Sequence, residues 1–355
     1  MGNSIFNLSL LQDADLKDKV VLVRVDHNVV KKGKILDPYR IDATIGTLFY
    51  IASKGGKPVL MTHVGRPKDK KTGEIKITDD SSVKAIAEYL EGKLNIKFAI
   101  PDLPAEGSMG IVNFSSKLKP YTDSLRRGDI CGLYLPNIRW FAGEQAKGES
   151  AEAFAAELAS LADVYVNDAF GSWQAHTSTV RLNKHLPYYA GFLMQKEVEN
   201  LARIYSPSRP FTAVVAGSKF DTKIGPMSAL LKLADYIIMG GVMYNAYLAA
   251  KYGLLIEGLE EDDILSAVKF AKEAEEYPGK IVELPYVVES DTIEGKFDGK
   301  HRIRDIRSLQ PGTKLNYILD VSPDSFIDES IKSIIDNAGT FFVNAVMGLD
   351  RKSVV

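Results

Sequence analysis

Val20-Val21-Leu22-Val23-Arg24-Val25, followed at once by Asp26-His27-Asn28, is the stretch that decides the fold. Five of its first six side chains are apolar, and they do not alternate with polar ones. Such a run reads as a strand buried on both faces, the kind found in parallel sheets covered by helices. The sequence on either side agrees. Residues 43–53 read as a helix and 58–61 as the next strand. Residues 81–94 place Val83, Ile86, Ala87 and Leu90 on one helical face, with Asp80 or Ser81 as its cap. Residues 98–100, 129–135 and 162–166 read as further strands, and 150–161 as a helix. Strand and helix alternate, the pattern of a sheet wound on both sides.

The pattern changes near residues 187–210. Residues 191–201 read as one long helix, which stops before Ser206-Pro207-Ser208-Arg209-Pro210, a segment suited to a domain junction. Alternation then resumes, with strands at 213–216, 236–239, 281–284, 317–319 and 340–344 and helices at 223–234, 242–251 and 263–276. The expected fold is α/β: two doubly wound parallel-sheet (Rossmann-like) domains joined by a helical hinge. Residues 1–190 form the first, 191–207 the hinge and 208–355 the second.

The size fits. The chain has 355 residues, and single cores stop growing near roughly 250–300 residues. Hydrophobic residues make up 45%, charged residues 25%, and the net charge is −2. That balance excludes a bulk basic surface, so no nucleic acid is expected as a partner. Cys131 is the one cysteine. It lies in the apolar run Ile130-Cys131-Gly132-Leu133 and reads as an inert core thiol. The N-terminus lacks a basic start followed by an apolar stretch. Its Met1-Gly2 opening has Phe6 where a myristoylation pattern wants Ser or Thr. No segment reads as a membrane span, so a cytoplasmic address is the expectation; a monomer is expected as well.

Ligands in doubly wound folds sit beyond the C-terminal ends of strands. In the first lobe those ends carry Asp26 and Asn28, then Thr62-His63-Val64-Gly65-Arg66, then Asn137-Ile138-Arg139, then Asn167-Asp168-Ala169-Phe170-Gly171 with His176 beyond. Arg40 follows the turn 36–39. Parallel topology would gather Arg40, Arg66, Arg139, His63 and His176 at one edge. Converging guanidinium forks suit a small polyanion. Each arginine alone reads as a solvated surface group, and Asp26, Asn28 and Asp168 also read as turn formers. In the second lobe, the strand 213–216 runs into Gly217-Ser218-Lys219 with Lys223 at the following helix start. A helix N-terminus favours phosphate. Gly240-Gly241 is a second glycine turn before a helix. Both features also read as ordinary strand-to-helix turns. Together the two lobes suit transfer between two anionic substrates brought together by closure.

These segments resemble those of the phosphoglycerate kinase family. Val23-Arg24-Val25-Asp26-His27-Asn28-Val29 is similar to its V-R-x-D-x-N-V, and Asp37-Pro38-Tyr39-Arg40-Ile41 to its next segment. Thr62-His63-Val64-Gly65-Arg66-Pro67 is similar to S-H-L-G-R-P, Pro136-Asn137-Ile138-Arg139-Trp140 to E-N-x-R-F, and Val166-Asn167-Asp168-Ala169-Phe170-Gly171 matches V-N-D-A-F-G. Ala216-Gly217-Ser218-Lys219 with Lys223 is similar to G-G-A-K-x-x-x-K. The likeness runs in order from about residue 18 to 349. It implies reversible transfer between ATP and 3-phosphoglycerate, giving ADP and 1,3-bisphosphoglycerate, with Mg2+ carried by the nucleotide. It implies that Asp26, Asn28, Arg40, His63, Arg66, Arg139 and His176 hold the phosphoglycerate, and that Arg40 faces the reacting carboxylate. Lys219 would stabilise the transferring phosphoryl and Lys223 the nucleotide phosphates. Gly217, Gly240, Gly241 and Asn344 would line the nucleotide pocket. In this chain no protein metal ligand is expected, because the family's G-G-G-D-T carboxylate segment is not found.

Four departures stand out. The family's H-R-A-H region reads Gly171-Ser172-Trp173-Gln174-Ala175-His176, one residue shorter and without its arginine. Ala216 replaces a glycine. N-G-P-x-G reads Asn344-Ala345-Val346-Met347-Gly348. The G-G-G-D-T and S-T-G-G-G segments are not found, so the second domain reads as incomplete at its C-terminus. An active kinase, a related binding protein with little turnover, and a kinase for another small phospho-acid, with Trp173 narrowing the cleft or merely packing, are all readings of this pattern.

Overall fold

The computed structural model describes residues 7–172, 174–217, 219–220, 223–293, 301–345 and 347–348. It divides into two compact units, Met1–Leu201 and Ala202–Val355.

The first unit is built on six parallel strands: β1 Val20–Val25, β2 Lys57–Met61, β3 Phe98–Ala99, β4 Gly132–Tyr134, β5 Val164–Asp168 and β6 Tyr188–Ala190, in the spatial order β3-β4-β2-β1-β5-β6. β1 is central, pairing Leu22 with Val59 on one side and with Tyr165 on the other. All six of its residues are buried. Successive side chains point to opposite faces of the sheet. Val21, Val23 and Val25 therefore join one apolar core with Leu48, Ile51, Ile86 and Leu90. Val20 and Leu22 join the other with Leu118, Leu125, Phe154 and Leu158. Fully burying a Val or Leu stabilises by roughly 1.5–3 kcal/mol, so the strand that carries Asp26 and Asn28 is anchored from both sides. β6 was not foreseen. Its alternation is too short to show; it pairs with β5 and meets Leu10 through a single parallel bridge at Ala190.

The second unit has a four-stranded parallel sheet of β7 Phe211–Ala216, β8 Tyr236–Gly240, β9 Ile281–Val282 and β13 Thr340–Asn344, in the order β9-β8-β7-β13. Beside it lies a three-stranded antiparallel sheet of β10 Tyr286–Ser290, β11 His301–Asp305 and β12 Tyr317–Val321, with β10 in the middle. The sequence hid β11, because His301-Arg302-Ile303-Arg304-Asp305 looks solvated. Its arginines are drawn in by Glu289, which is 2% exposed and accepts from Arg302 Nε at 2.8 Å.

Two local expectations are corrected. Cys131 is exposed, not core. β4 starts only at Gly132, so the thiol precedes the buried strand. The helix expected at 81–94 begins at Lys84 without a side-chain cap from Asp80 or Ser81. Ser81 instead sits in a short 3-10 turn, where its Oγ accepts from Trp140 Nε1 and its carbonyl from Asn137 Nδ2.

Candidate active site

Every strand of the first sheet runs the same way, so β1, β2, β4 and β5 deliver their C-terminal loops to one edge. Beyond β1, Asp26 is 4% exposed and pairs through Oδ2 with Arg40 Nη1 at 2.9 Å. Its Oδ1 is buried without a hydrogen-bond partner. Gly171 packs against this pair, and a Cβ there would fall on Asp26 Oδ2. A larger residue where the loop after β5 crosses the loop after β1 would have to displace the Asp26 carboxylate and its bond to Arg40. Asn28 Oδ1 accepts from the Gly65 amide at 2.8 Å, tying the first loop to the second.

Asn137, wholly buried, holds the third loop in place. Its Oδ1 accepts from Val64 N and Arg139 N, both at 3.1 Å, and its Nδ2 donates to Val64 O at 2.8 Å. Arg139 Nη1 donates to the Gly65 carbonyl at 2.7 Å, while its Nε is buried and unpartnered. Arg66 is exposed and makes no ion pair among the described residues. Asp168 points elsewhere: its Oδ1 accepts from Leu193 N and Met194 N, capping the helix Phe192–Ala202. His176 heads the short helix Thr177–Val180.

Arg24, Asn28, His63, Arg66, Arg139, Ser172, Gln174 and His176 line one cavity of about 1290 Å³. Its far wall is the hairpin closed by the Lys68–Ile75 bridge, which adds Lys68, Lys70, Lys71 and Lys76 against a single lining carboxylate, Asp69. Asp69 is spoken for by the Lys71 and Thr72 amides, at 2.7 and 2.9 Å. Asp26 and Arg40 adjoin the cavity through Gly171. The histidines add no charge. Burial, and then the neighbouring Arg24, push His63 down to about 2. Burial also lowers His176. The cavity is strongly cationic, with neutral donors on one wall. Trp173, expected to narrow or merely pack this wall, lies outside the described residues, as do Ser218 and Val346.

His27, between Asp26 and Asn28, is wholly structural. Thr44 donates its hydroxyl to Ile41 O, so it must accept from His27 Nε2 at 2.8 Å, and Tyr134 donates to Nδ1 at 2.9 Å. Burial, then Arg24, lowers His27 to about 3. A histidine with a depressed folded value stabilises fully above its unfolded value of about 6.5, and that stability is lost as pH falls below it. Each of His27 and His63 should remove about 1.4 kcal/mol per pH unit there. Urea unfolding followed by tryptophan fluorescence should therefore weaken between pH 6.5 and 5. Both tryptophans, Trp140 and Trp173, fall in the first unit. His27→Gln should reduce that slope by about 1.4 kcal/mol per pH unit. Comparing slopes isolates His27 from Glu144 and Asp168, whose burial-raised values act in the opposite sense.

The second unit presents a smaller cluster. Ala216–Gly217, Gly240–Gly241 and Asn344 stand at the ends of adjacent strands, with Gly240 paired to Ala216 and Asn344 to Val215. Lys223, at the start of the helix Ile224–Leu233, donates from Nζ to Ala216 O at 2.6 Å and to Asn344 Oδ1 at 2.8 Å. Partial burial lowers its affinity for a proton. Gly241 has φ +65°, and a Cβ on it would lie 2.8 Å from the Gly217 carbonyl, so this glycine serves the close approach of two strand ends. Lys219 is exposed on the turn between β7 and that helix.

Sequence reasoning missed Arg24, Glu144, Ser178 and the lysine hairpin. Arg24 left a signal: one guanidinium inside an apolar strand implies a buried partner. Glu144 and Ser178 left none, because their partners are distant in sequence.

Comparison with known proteins bears on the whole chain. The phosphoglycerate kinase family profile matches residues 11–353. The chain is 35% identical over 342 residues to the phosphoglycerate kinase of Xanthobacter flavus, spanning 95% of this chain and 79% of that one. It is 34% identical over 350 residues to the cytosolic phosphoglycerate kinase 3 of Arabidopsis thaliana, covering 97% and 80%. Among solved structures, phosphoglycerate kinase from Coxiella burnetii superposes with a TM-score of 0.75 at 26% identity, covering 96% of this chain and 81% of that one.

Proposed function

Because the chain belongs to the phosphoglycerate kinase family, whose members are phosphotransferases acting on a carboxyl group in glycolysis, we propose that the cavity of its first unit is the acceptor site for 3-phosphoglycerate and the strand-end cluster of its second unit the site for ATP or ADP. Residues 1–190 then serve the acid, 208–355 the nucleotide, and 191–207 link them. The observation that carries this reading is the cationic cavity at the C-terminal edge of the first sheet. It suits a ligand bearing both a carboxylate and a phosphate.

Each part has work to do. The acceptor carboxylate is ionised at neutral pH, so it needs no general base. One of its oxygens attacks the γ-phosphorus of ATP; that O–P bond forms as the bond to the β-phosphate oxygen breaks, and ADP leaves. Alignment and charge neutralisation are what the protein supplies. Arg40 commits one nitrogen to Asp26 and keeps the rest of its fork for the reacting carboxylate. Arg66, Arg139, His63, Asn28 and His176 hold the remainder of the acid, and the unpartnered Oδ1 of Asp26 accepts from its hydroxyl. Lys219 meets the transferring phosphoryl. Lys223 has two of its three donors engaged and offers the third to the nucleotide phosphates. Gly217, Gly240, Gly241 and Asn344 shape that pocket. Mg2+ arrives as part of the nucleotide substrate. No described helix is long and apolar enough to cross a membrane, one relative is named cytosolic, and we place the chain in the cytoplasm as a monomer.

An assay coupling 1,3-bisphosphoglycerate formation to NADH oxidation tests this. Turnover should require both Mg-ATP and 3-phosphoglycerate, and Lys219→Ala should lower kcat about 10²–10³-fold. A second reading, weak turnover or preference for another small phospho-acid, draws on Gln174 in the cavity wall, where the family carries an arginine. Ligand binding without turnover would favour it.

A further inference from the structure

Arg24 lies in β1 at 1% exposure, on the same face as Val20 and Leu22. At the end of that face it leaves the apolar core and meets a polar wall. Its Nε donates to Ser178 Oγ at 2.9 Å, its Nη1 to the Val25 carbonyl, and its Nη2 reaches His63 Nδ1 at 3.1 Å. Ser178 continues the chain. Its Oγ donates to Glu144 Oε1 at 2.7 Å and its amide to Oε2 at 2.9 Å. Glu144 is wholly buried and supplies the countercharge.

A guanidinium has donors and no acceptor, so in the contact with His63 the arginine must donate and Nδ1 must carry the lone pair. The ring proton then resides on Nε2. His63 lines the cavity, and this tautomer offers an N–H to it. The opposite tautomer would offer a lone pair to an anion. We propose that Arg24 is a positioning residue: through its Nη2 it holds His63 in the Nε2–H tautomer, so that the ring donates to the anion in the cavity, while Ser178 and Glu144 fix the guanidinium. The other cations facing the ring, Arg139 and Arg40, together with His176, also oppose its protonation. His63 thus contributes an oriented dipole rather than a charge. The inference rests on the acceptor-site reading for its consequence, not for its geometry.

Long-range 1H–15N correlation on the full chain labelled at histidine nitrogens reads the tautomer directly, with His63→Gln assigning the signal. The wild type should show His63 protonated on Nε2 alone, unchanged from pH 8 to 5.5, and its resonance should move when 3-phosphoglycerate is added. Arg24→Met should release a mixture of tautomers and raise KM for 3-phosphoglycerate about tenfold with a smaller change in kcat. Arg24→Lys, which also only donates, should restore part of both. A wild-type His63 protonated on Nδ1, or on both nitrogens near neutrality, overturns the proposal. So does an unchanged tautomer in Arg24→Met. If Arg24→Met does not fold, the wild-type and Arg24→Lys spectra still decide. A correct tautomer whose resonance ignores 3-phosphoglycerate would leave the lock standing and refute the acceptor site instead.

Discussion

Arg40→Ala is expected to lower kcat for phosphoryl transfer by about 10²–10³-fold, the usual loss when one preorganised donor at a reacting centre is removed. Asp26 is 4% exposed, and among the described residues it forms its ion pair with Arg40 Nη1 at 2.9 Å. That bond aims the guanidinium, whose side chain remains about half exposed and free to turn its fork toward a carboxylate. Lys at this position keeps the charge but loses the planar two-point geometry. Arg40→Lys should therefore recover only part of the loss. Arg40→Ala also strands a buried carboxylate. Its urea midpoint should fall, and Asp26→Asn should restore the midpoint without restoring turnover. Steady-state kinetics and denaturation on the same three variants separate the two effects.

The second large effect is on stability. Glu144→Ala should destabilise the first unit by about 3–5 kcal/mol, the cost of leaving one partner of a buried charge pair alone. Glu144 is wholly buried and takes both the hydroxyl and the amide of Ser178. Burial raises its proton affinity, while Arg24 and Ser178 pull it back. Removing it leaves the Arg24 guanidinium, at 1% exposure, without a countercharge. Glu144→Gln retains an acceptor for Ser178 and should cost less. Equal losses for Ala and Gln would show that the charge, rather than the hydrogen bonds, carries the effect. No loss for either would break the account of the buried network.

Much of this was legible in the sequence. Buried strands that run unbroken, such as β1, announce a parallel sheet. The parallel sheet in turn forces the loops with Asn28, His63, Arg66, Arg139 and His176 to one edge. What stayed hidden depends on long-range pairing. β11 reads as solvated because its arginines are balanced by Glu289 on the neighbouring strand. Cys131 reads as core because an apolar run does not say where its strand begins. Ser178 and Glu144 look ordinary because the contact joining them spans 34 residues. His27 stands between the candidates Asp26 and Asn28, yet both of its ring nitrogens are taken up inside the protein.

Calorimetric titration of the chain with 3-phosphoglycerate tests the central claim, that the cationic cavity of the first unit is an acceptor site, most directly. Binding should be measurable without nucleotide and should weaken as salt screens the lysines and arginines. Arg66→Ala should bind at least about tenfold more weakly, as expected when a charge-assisted contact to phosphate is lost. No binding heat by the wild-type chain, or the same affinity in Arg66→Ala, would contradict it.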